Sequence, residues 1–209
     1  MKKQLCYNGD MPKIVDHQKR KEELAEAAWR VIRREGIDGV SVRRVAEEAG
    51  MSLGSLRHYF ETQSQLLTFS MRMVSERVNQ RMTQLPLTND LRTDIELVIA
   101  QLLPLDEERC AEAEVWLAFA GKAIVDPEIH RLSLDVHDEL FASFRRMIGM
   151  LKQQKLISEV MDLDLESKRL HALIDGLVVH HASFPERLSK EEMIGIVSNH
   201  LDSLLQCKN

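Results

Sequence analysis

The side chains that could do chemistry are concentrated in residues 41–60, a polar segment with one glycine turn. Arg57 can pair with guanine O6 and N7 in the major groove of DNA. Leu53 can contact a thymine methyl group, and Ser55 or His58 can contact bases or phosphates. These residue types indicate recognition of double-stranded DNA.

Two short helices joined by a tight turn must position these side chains. Ser41 and Ser52 are of the residue type that caps a helix start, and Gly50 ends the first of the two helices. The size and spacing are those of a helix-turn-helix, whose second helix enters the major groove. The sequence therefore predicts a DNA-reading unit in the N-terminal part of the chain.

The apolar residues of the second helix determine which face reads DNA. We expect Leu56, Tyr59 and Phe60 to face inward, which leaves the base-contacting side chains on or near the outer face. Gly54 lies inside this helix, where glycine costs about 1 kcal/mol relative to alanine. Close approach to DNA, or packing on the preceding long helix, would each explain why glycine is tolerated there.

The segment SVRRVAEEAGMSLGSLRHYF, residues 41–60, resembles the DNA-binding signature of the TetR family of bacterial transcriptional regulators. The likeness extends from the first helix to Leu67. It implies an N-terminal DNA-binding domain of three helices and a separate C-terminal domain that senses a ligand. From the resemblance and the helix faces together, we expect DNA contacts from Ser41, Arg43, Arg44, Ser52, Leu53, Gly54, Ser55, Arg57, His58, Tyr59 and Gln63.

Two positions depart from the family pattern. Arg57 stands where tyrosine is usual, and Gln63 stands where lysine commonly contacts a phosphate. Arginine could shift the preference toward guanine, whereas loss of a lysine should reduce the phosphate contribution to affinity and its salt dependence. A surface ion pair is the alternative role for Arg57.

Charge is divided unevenly along the chain. The formal net charge is -5, yet residues 1–60 hold 12 Lys and Arg against 9 Asp and Glu. We interpret residues 1–15 as a basic arm that could lie along phosphates, with a solvated tail as the alternative. Met11 is an alternative start, which would make the residues before it dispensable.

Composition favours helix throughout, because only nine glycines and five prolines occur among 209 residues. Capping residues and apolar periodicity predict an all-α fold with about nine helices. We assign a basic arm to 1–15, a helix-turn-helix domain to 16–62, and an effector-binding and dimerisation domain to 63–209. The predicted helices span about 16–35, 41–49, 52–60, 62–83, 88–103, 107–122, 127–153, 164–181 and 189–206.

The C-terminal segment is acidic and apolar, and methionines on its helices provide adaptable apolar surface. Aromatic and polar-tipped side chains on these helices are candidates for the wall of a ligand pocket, with core packing as the alternative. For His137 the alternative is a surface position. The candidates are Met73, Trp116, Phe119, His137, Phe141, Phe144, Asp175 and His180.

Residues 172–177, ALIDGL, resemble the BetI-type C-terminal domain of many such repressors. The resemblance implies a two-fold dimer through helices 8 and 9 and an effector pocket surrounded by helices 4 to 8. Ala172 and Gly176 would allow another helix to approach closely. Helix 8 also has an apolar stripe (Leu170, Leu173, Ile174, Leu177, Val178), and so has helix 9 (Met193, Ile196, Val197, Leu201, Leu204, Leu205).

Motifs for catalysis and metal binding are absent from the sequence. None of the eight histidines has an acidic residue three positions before it, and there is no HExxH, phosphate loop or GxSxG. The three cysteines are too far apart for a zinc site or a disulfide framework, and we expect Cys110 in the core and the others in the tails. We therefore expect no enzyme activity, no cofactor and no metal.

The expected partners are double-stranded operator DNA, a second copy of the chain and an unidentified small-molecule effector, and the expected activity is repression. The sequence has no apolar run long enough to span a membrane and no secretory signal, so we expect a cytoplasmic protein without membrane contact. A DNA-binding protein whose C-terminal domain only dimerises remains the alternative.

Overall fold

The computed structural model describes residues 17–206. Within that range the chain forms nine α-helices and two 3-10 turns, with no strand, so the all-α expectation is confirmed. The helices are α1 His17–Glu35, α2 Val42–Glu48, α3 Leu53–Arg57, α4 Gln63–Thr83, α5 Leu91–Ile99, α6 Glu107–Ala123, α7 Pro127–Gln153, α8 Leu163–Ser183 and α9 Lys190–Gln206, and the 3-10 turns are Ile37–Gly39 and Ala100–Leu102.

Helix starts follow the expected local chemistry. The side chains of Ser41, Ser52, Thr62 and Asp126 each accept a hydrogen bond from a main-chain N–H of the first turn. At the start of α9, the Ser189 hydroxyl accepts from Glu192 N at 3.2 Å, and the Glu192 carboxylate accepts from Ser189 N at 2.8 Å.

The predicted bounds of three helices were wrong. Helix α3 ends at Arg57, because Tyr59 N and Phe60 N both bond to Leu56 O and turn Phe60 into the core. Helix α5 begins only after Asp90, whose side chain caps it, and ends in a 3-10 turn. Helix α8 begins at Leu163 and ends at Ser183, since its cap is Asp162.

Two apolar cores hold the helices together. The first contains residues of α1 to α4 and also Val115 and Phe119 of α6 and Ile129 of α7. The second joins α5, α7, α8 and α9. The helices that carry the helix-turn-helix therefore share their core with the C-terminal helices.

The apolar stripes of α8 and α9 lie mostly inside the chain. Leu170, Ile174 and Leu177 of α8 are buried in the second core, as are Met193, Val197, Leu201 and Leu204 of α9, and Val178 is also buried. The expectation that the α9 stripe forms a dimer interface was wrong for these four residues, because α5 and the rest of the second core cover them. Ile196 remains 38% exposed.

Some expectations concern residues outside the described range. The basic arm at 1–15, the alternative start at Met11, and Cys6 and Cys207 all fall there. Cys110 is half-buried rather than fully in the core, and its thiol donates to Pro104 O at 3.4 Å. Among residues 17–206, no helix is long and apolar enough to cross a membrane.

Candidate DNA-binding surface and ligand cavity

The turn between α2 and α3 needs a glycine. Gly50 has φ +65°, a left-handed conformation that residues with a Cβ rarely adopt. On either side of it, Ser41 Oγ accepts from Arg44 N and Ser52 Oγ accepts from Ser55 N, each at 3.1 Å. Local chemistry thus fixes the start of both short helices and the turn between them.

A network of ion pairs joins α1 to α2. Arg44 lies 2.7 Å from Glu35, Arg34 lies 2.9 Å from both Glu35 and Glu48, and Arg30 lies 2.9 Å from Glu48. The hydrogen bonds from Arg44 and then Arg34 lower the pKa of Glu35 to about 2. Arg44, which we expected to contact DNA, is therefore engaged within the domain.

The outer face of α3 presents polar side chains to solvent. Gly54, Ser55, Arg57 and His58 are exposed and Leu53 is half-buried. Arg57 forms no ion pair and no hydrogen bond with any described residue. The alternative role for Arg57, a surface ion pair, is therefore not observed among residues 17–206.

Gly54 is not needed for packing on α1. A Cβ built at this position meets only Ser52 Oγ, at 3.9 Å. The two serines on either side of it share a hydrogen bond, Ser52 Oγ to Ser55 Oγ at 2.8 Å. Packing on α1 therefore does not explain the glycine at position 54. Close approach to DNA stays a prediction.

Three further residues that we expected to contact DNA lie on α2, just after α3 and at the start of α4. Arg43 is exposed and pairs with Glu47 at 3.2 Å. Tyr59 is half-buried: it packs against the first core, as expected for an inward-facing residue, and its ring centroid lies 4.6 Å from that of His17. Gln63 is engaged elsewhere, since its Nε2 donates to the main-chain carbonyl of Val40 at 2.6 Å.

Helix α6 connects the helix-turn-helix domain to the C-terminal helices. Arg33 Nε of α1 lies 2.6 Å from Glu114 Oε2, and Lys122 Nζ lies 2.6 Å from Asp38 Oδ1 in the 3-10 turn. On the neighbouring helix α4, the Trp29 indole of α1 donates to a main-chain carbonyl at 3.2 Å. A displacement of α4 or α6 would therefore also displace α1.

A cavity of about 80 Å³ lies among α4, α6, α7, α8 and the second 3-10 turn. Three of the predicted pocket residues line it: Trp116, Phe144 and Asp175. Its full lining is Val74, Val78, Gln101, Leu102, Arg109, Glu112, Ala113, Trp116, Leu140, Phe144, Ile174, Asp175 and Val178.

The other five predicted pocket residues do not line this cavity. Met73 and Phe119 belong to the first core, on the sides of α4 and α6 that pack toward α1. His137 and His180 are exposed, and Phe141 is half-buried outside the cavity wall. Helical spacing did not identify which faces of these helices line the cavity.

Most polar groups of the cavity wall are satisfied inside the protein. Glu112 is buried and accepts two hydrogen bonds from Arg81, at 2.7 and 2.6 Å. Arg109 donates to Ala100 O at 2.7 Å. Sequence reasoning missed this buried pair, because Arg81 and Glu112 lie 31 positions apart on different helices.

Asp175 differs, since no described residue donates a hydrogen bond to it. His171 Nε2 lies 3.6 Å from Asp175 Oδ2. Burial raises the pKa of Asp175 to about 6, and burial and then the neighbouring His137 lower the pKa of His171. Both shifts favour neutral groups, so this contact is not a strong ion pair. The His137 ring stacks on the His171 ring, with 4.7 Å between the two ring centroids.

A larger cleft of about 350 Å³ adjoins the cavity, between α4, α5 and α7. It shares five lining residues with the cavity: Val74, Val78, Leu102, Leu140 and Phe144. Met71, Met82, Met147 and Met150 also line it. The expected adaptable methionine surface is therefore present, apart from Met73.

No group of three or more His, Cys, Asp or Glu side chains in residues 17–206 is arranged to hold a metal ion. The described chain thus carries an exposed polar surface on α3 and, among other helices, an apolar cavity with an adjoining cleft. Helices α4 and α6 contribute to the first core and to the cavity wall.

Comparison with known proteins decides the family. Residues 91–206 match the C-terminal domain of BetI-type transcriptional repressors, and residues 24–68 match the tetR family of bacterial regulatory proteins. The chain belongs to the TetR family. It is a DNA-binding transcriptional regulator, and the related proteins are regulators rather than enzymes, in agreement with the expectation from sequence.

Relatives match over nearly the whole chain. The transcriptional regulator PksA of Bacillus subtilis is 39% identical, over 93% of this chain and 94% of that protein. The regulator BetI of Yersinia pestis (strain Pestoides F) is 27% identical, over 95% of this chain and 98% of that protein. A solved structure of a transcriptional regulator from Rhodococcus sp. Rha1 has a TM-score of 0.78 and 27% identity, covering 89% and 96% of the two chains.

Proposed function

We propose that this TetR-family regulator is a repressor that binds a palindromic operator as a homodimer and is released by a small molecule. The observation that carries the proposal is the position of α6. Trp116 of this helix lines the cavity, while Glu114 and Lys122 of the same helix pair with Arg33 and Asp38 in the DNA-binding domain.

The outer face of α3 supports operator recognition. Arg57 is exposed and has no partner among the described residues, so its guanidinium is available for a guanine. Ser55 and His58 lie beside it, also exposed. Two such faces related by a two-fold axis fit a palindrome with half-sites about one helical turn apart.

A second copy of the chain fits against α8. Leu165, Ala172 and Val179 are exposed on this helix, and nothing lies within 4 Å of a Cβ built at Gly176. These four positions follow one another at helical spacing, so they form one face that another helix can approach closely. The exposed Ile196 of α9 is the remaining apolar contribution of that helix.

The release step follows from differential binding. A ligand that occupies the cavity better when α6 is displaced shifts the population toward that arrangement. Because Glu114 and Lys122 connect α6 to the DNA-binding domain, the two reading helices then move away from the separation that matches the operator. Operator affinity falls as a result.

Filling the cavity with a side chain tests this proposal. Ala113 is buried in α6 and lines the cavity, so Ala113→Leu should occupy part of its 80 Å³ and lower operator affinity at least about tenfold. The matched control is Ala142→Leu, at an exposed position of α7. Equal operator affinity for both variants and the unmodified protein, measured by fluorescence anisotropy, would contradict the coupling and favour a protein whose C-terminal domain only dimerises.

A further inference from the structure

The cleft between α4 and α7 is suited to an apolar chain. Four methionines line it, together with Val98 and Val136. Methionine side chains are unbranched and polarizable, so they adapt to a flexible apolar guest without a fixed shape. Its polar lining residues are Ser75, Asn79, Glu139, Ser143 and Arg146.

The cavity beside it is suited to a small charged group. Arg109 bonds to Asp106 and Glu112 bonds to Arg81, so these charges are already compensated. Asp175 is left without a cationic arginine or lysine partner among the described residues. Its carboxylate is the one ionisable wall group that a ligand can compensate.

An aromatic ring adds to this preference. Trp116 lines the same cavity as Asp175, and the face of an indole ring attracts cations. The histidine next to Asp175 does not compete for it, because burial and His137 both lower the pKa of His171 and keep that ring neutral. The cavity therefore favours a cation over an anion.

The cavity and the cleft lie side by side, and Val74, Val78, Leu102, Leu140 and Phe144 belong to the walls of both. A molecule too long for about 80 Å³ can extend past these apolar side chains into the 350 Å³ cleft.

We propose that the two spaces form one site for an elongated amphiphile, a protonated amine on an unbranched alkyl chain. The ammonium group contacts Asp175 and Trp116 in the cavity, and the chain lies in the methionine-lined cleft between α4 and α7. This inference rests on the proposed function, because it names the chemical class of the molecule that releases the regulator.

Calorimetric titration of the full chain with n-alkylammonium chlorides from butyl to decyl, below micellar concentrations, tests the assignment. Affinity should rise about threefold per methylene, since the added groups leave water for the cleft. Asp175→Asn should weaken binding of every member at least about tenfold. The n-alkyl carboxylates of equal length, which present an anion to Asp175, should bind far more weakly.

Ser143 is a small residue of α7 that lines the cleft, so Ser143→Trp should block the cleft. The control is Ala142→Trp, at an exposed position of the same helix. The first variant should remove the dependence on chain length and leave butylammonium binding intact, and the control should change neither. An affinity independent of chain length in the unmodified protein, or carboxylates that bind as tightly as ammonium ions, would overturn the proposal.

Operator binding without any ligand separates this inference from the proposed function. If the protein binds its operator but shows no preference for long ammonium ions, only the ligand class is wrong. If it binds no operator while the ammonium series behaves as expected, the site stands as assigned and the repressor role fails.

Discussion

Arg33 of α1 and Glu114 of α6 form an ion pair of 2.6 Å that joins the DNA-binding domain to the helix beside the ligand cavity. Two residues beyond Glu114, Trp116 lines that cavity. The same helix therefore contacts a prospective ligand and the long helix on which the helix-turn-helix packs. In the proposed mechanism, this short connection makes the affinity for DNA depend on occupancy of the cavity.

Breaking this pair should weaken the coupling more than the fold. Both side chains are about two-fifths exposed, and exposed pairs of this kind contribute less than about 1 kcal/mol to stability. Arg33→Gln should therefore leave the unfolding midpoint nearly unchanged while reducing the effect of Ala113→Leu on operator affinity. Arg145→Gln, which breaks the exposed Asp164 pair between α7 and α8, is the matched control and should leave that effect intact.

Asp175→Asn should stabilise the protein near neutral pH. Burial raises the pKa of Asp175 from 3.8 to about 6, so protonation favours the folded state, and its stabilising effect is lost as pH rises through 6. The free energy of unfolding of the variant should be higher by on the order of 1 kcal/mol at pH 7.5. This value allows for solvent screening, because about two-fifths of the Asp175 side chain is exposed.

Chemical denaturation of both proteins between pH 4 and 8 measures this effect. The difference between their free energies of unfolding reports on Asp175 alone, since all other carboxylates are common to both proteins. It should shrink as pH falls toward 4. A difference that is constant across the range would mean that Asp175 does not have the raised pKa.

The Arg81–Glu112 pair should respond differently to single and double substitution. Glu112 is buried, so Arg81→Met leaves an uncompensated carboxylate and should destabilise the protein by about 2 kcal/mol or more. Replacing both residues with methionine should recover much of this loss, because no buried charge remains. Equal destabilisation in the single and double variants, measured by urea denaturation, would argue against a buried pair.

Two glycines of the helix-turn-helix should respond in opposite directions to alanine. Gly50→Ala should cost about 1 kcal/mol of stability, since its φ of +65° disfavours a Cβ. Gly54→Ala should add about 0.5 to 1 kcal/mol, because the site is helical and open. If glycine serves close approach to DNA, the second variant should nevertheless bind operator more weakly, which thermal unfolding and anisotropy together would reveal.

Sequence predicts those features that depend on neighbouring residues. The caps at Ser41, Ser52 and Thr62 were foreseeable because the donor lies within three positions of the cap. The engagement of Gln63 with Val40 was not, since 23 residues separate them and nothing in the local pattern indicates the pairing. The same holds for Arg44, whose partner Glu35 belongs to another helix.

The ligand cavity shows the limit of helical periodicity. Trp116, Phe144 and Asp175 line the cavity, whereas His180 lies on α8 with its side chain exposed. Periodicity identifies an apolar face but does not reveal which neighbour covers it. For the same reason, the stripe around Met193 on α9 indicated a partner helix, and that partner is within the chain.

The most direct test of the account is operator binding by the purified protein with Arg57→Ala beside it. Fluorescence anisotropy on DNA from upstream of its own gene, at two salt concentrations, should give tight, salt-sensitive binding to a palindrome. Arg57→Ala should cost about 1 to 3 kcal/mol and relax specificity at one position of each half-site, whereas Arg187→Ala, exposed far along the chain before α9, should not. Equal operator affinity and specificity for Arg57→Ala and the unmodified protein would contradict the assignment of α3 as the DNA-reading helix.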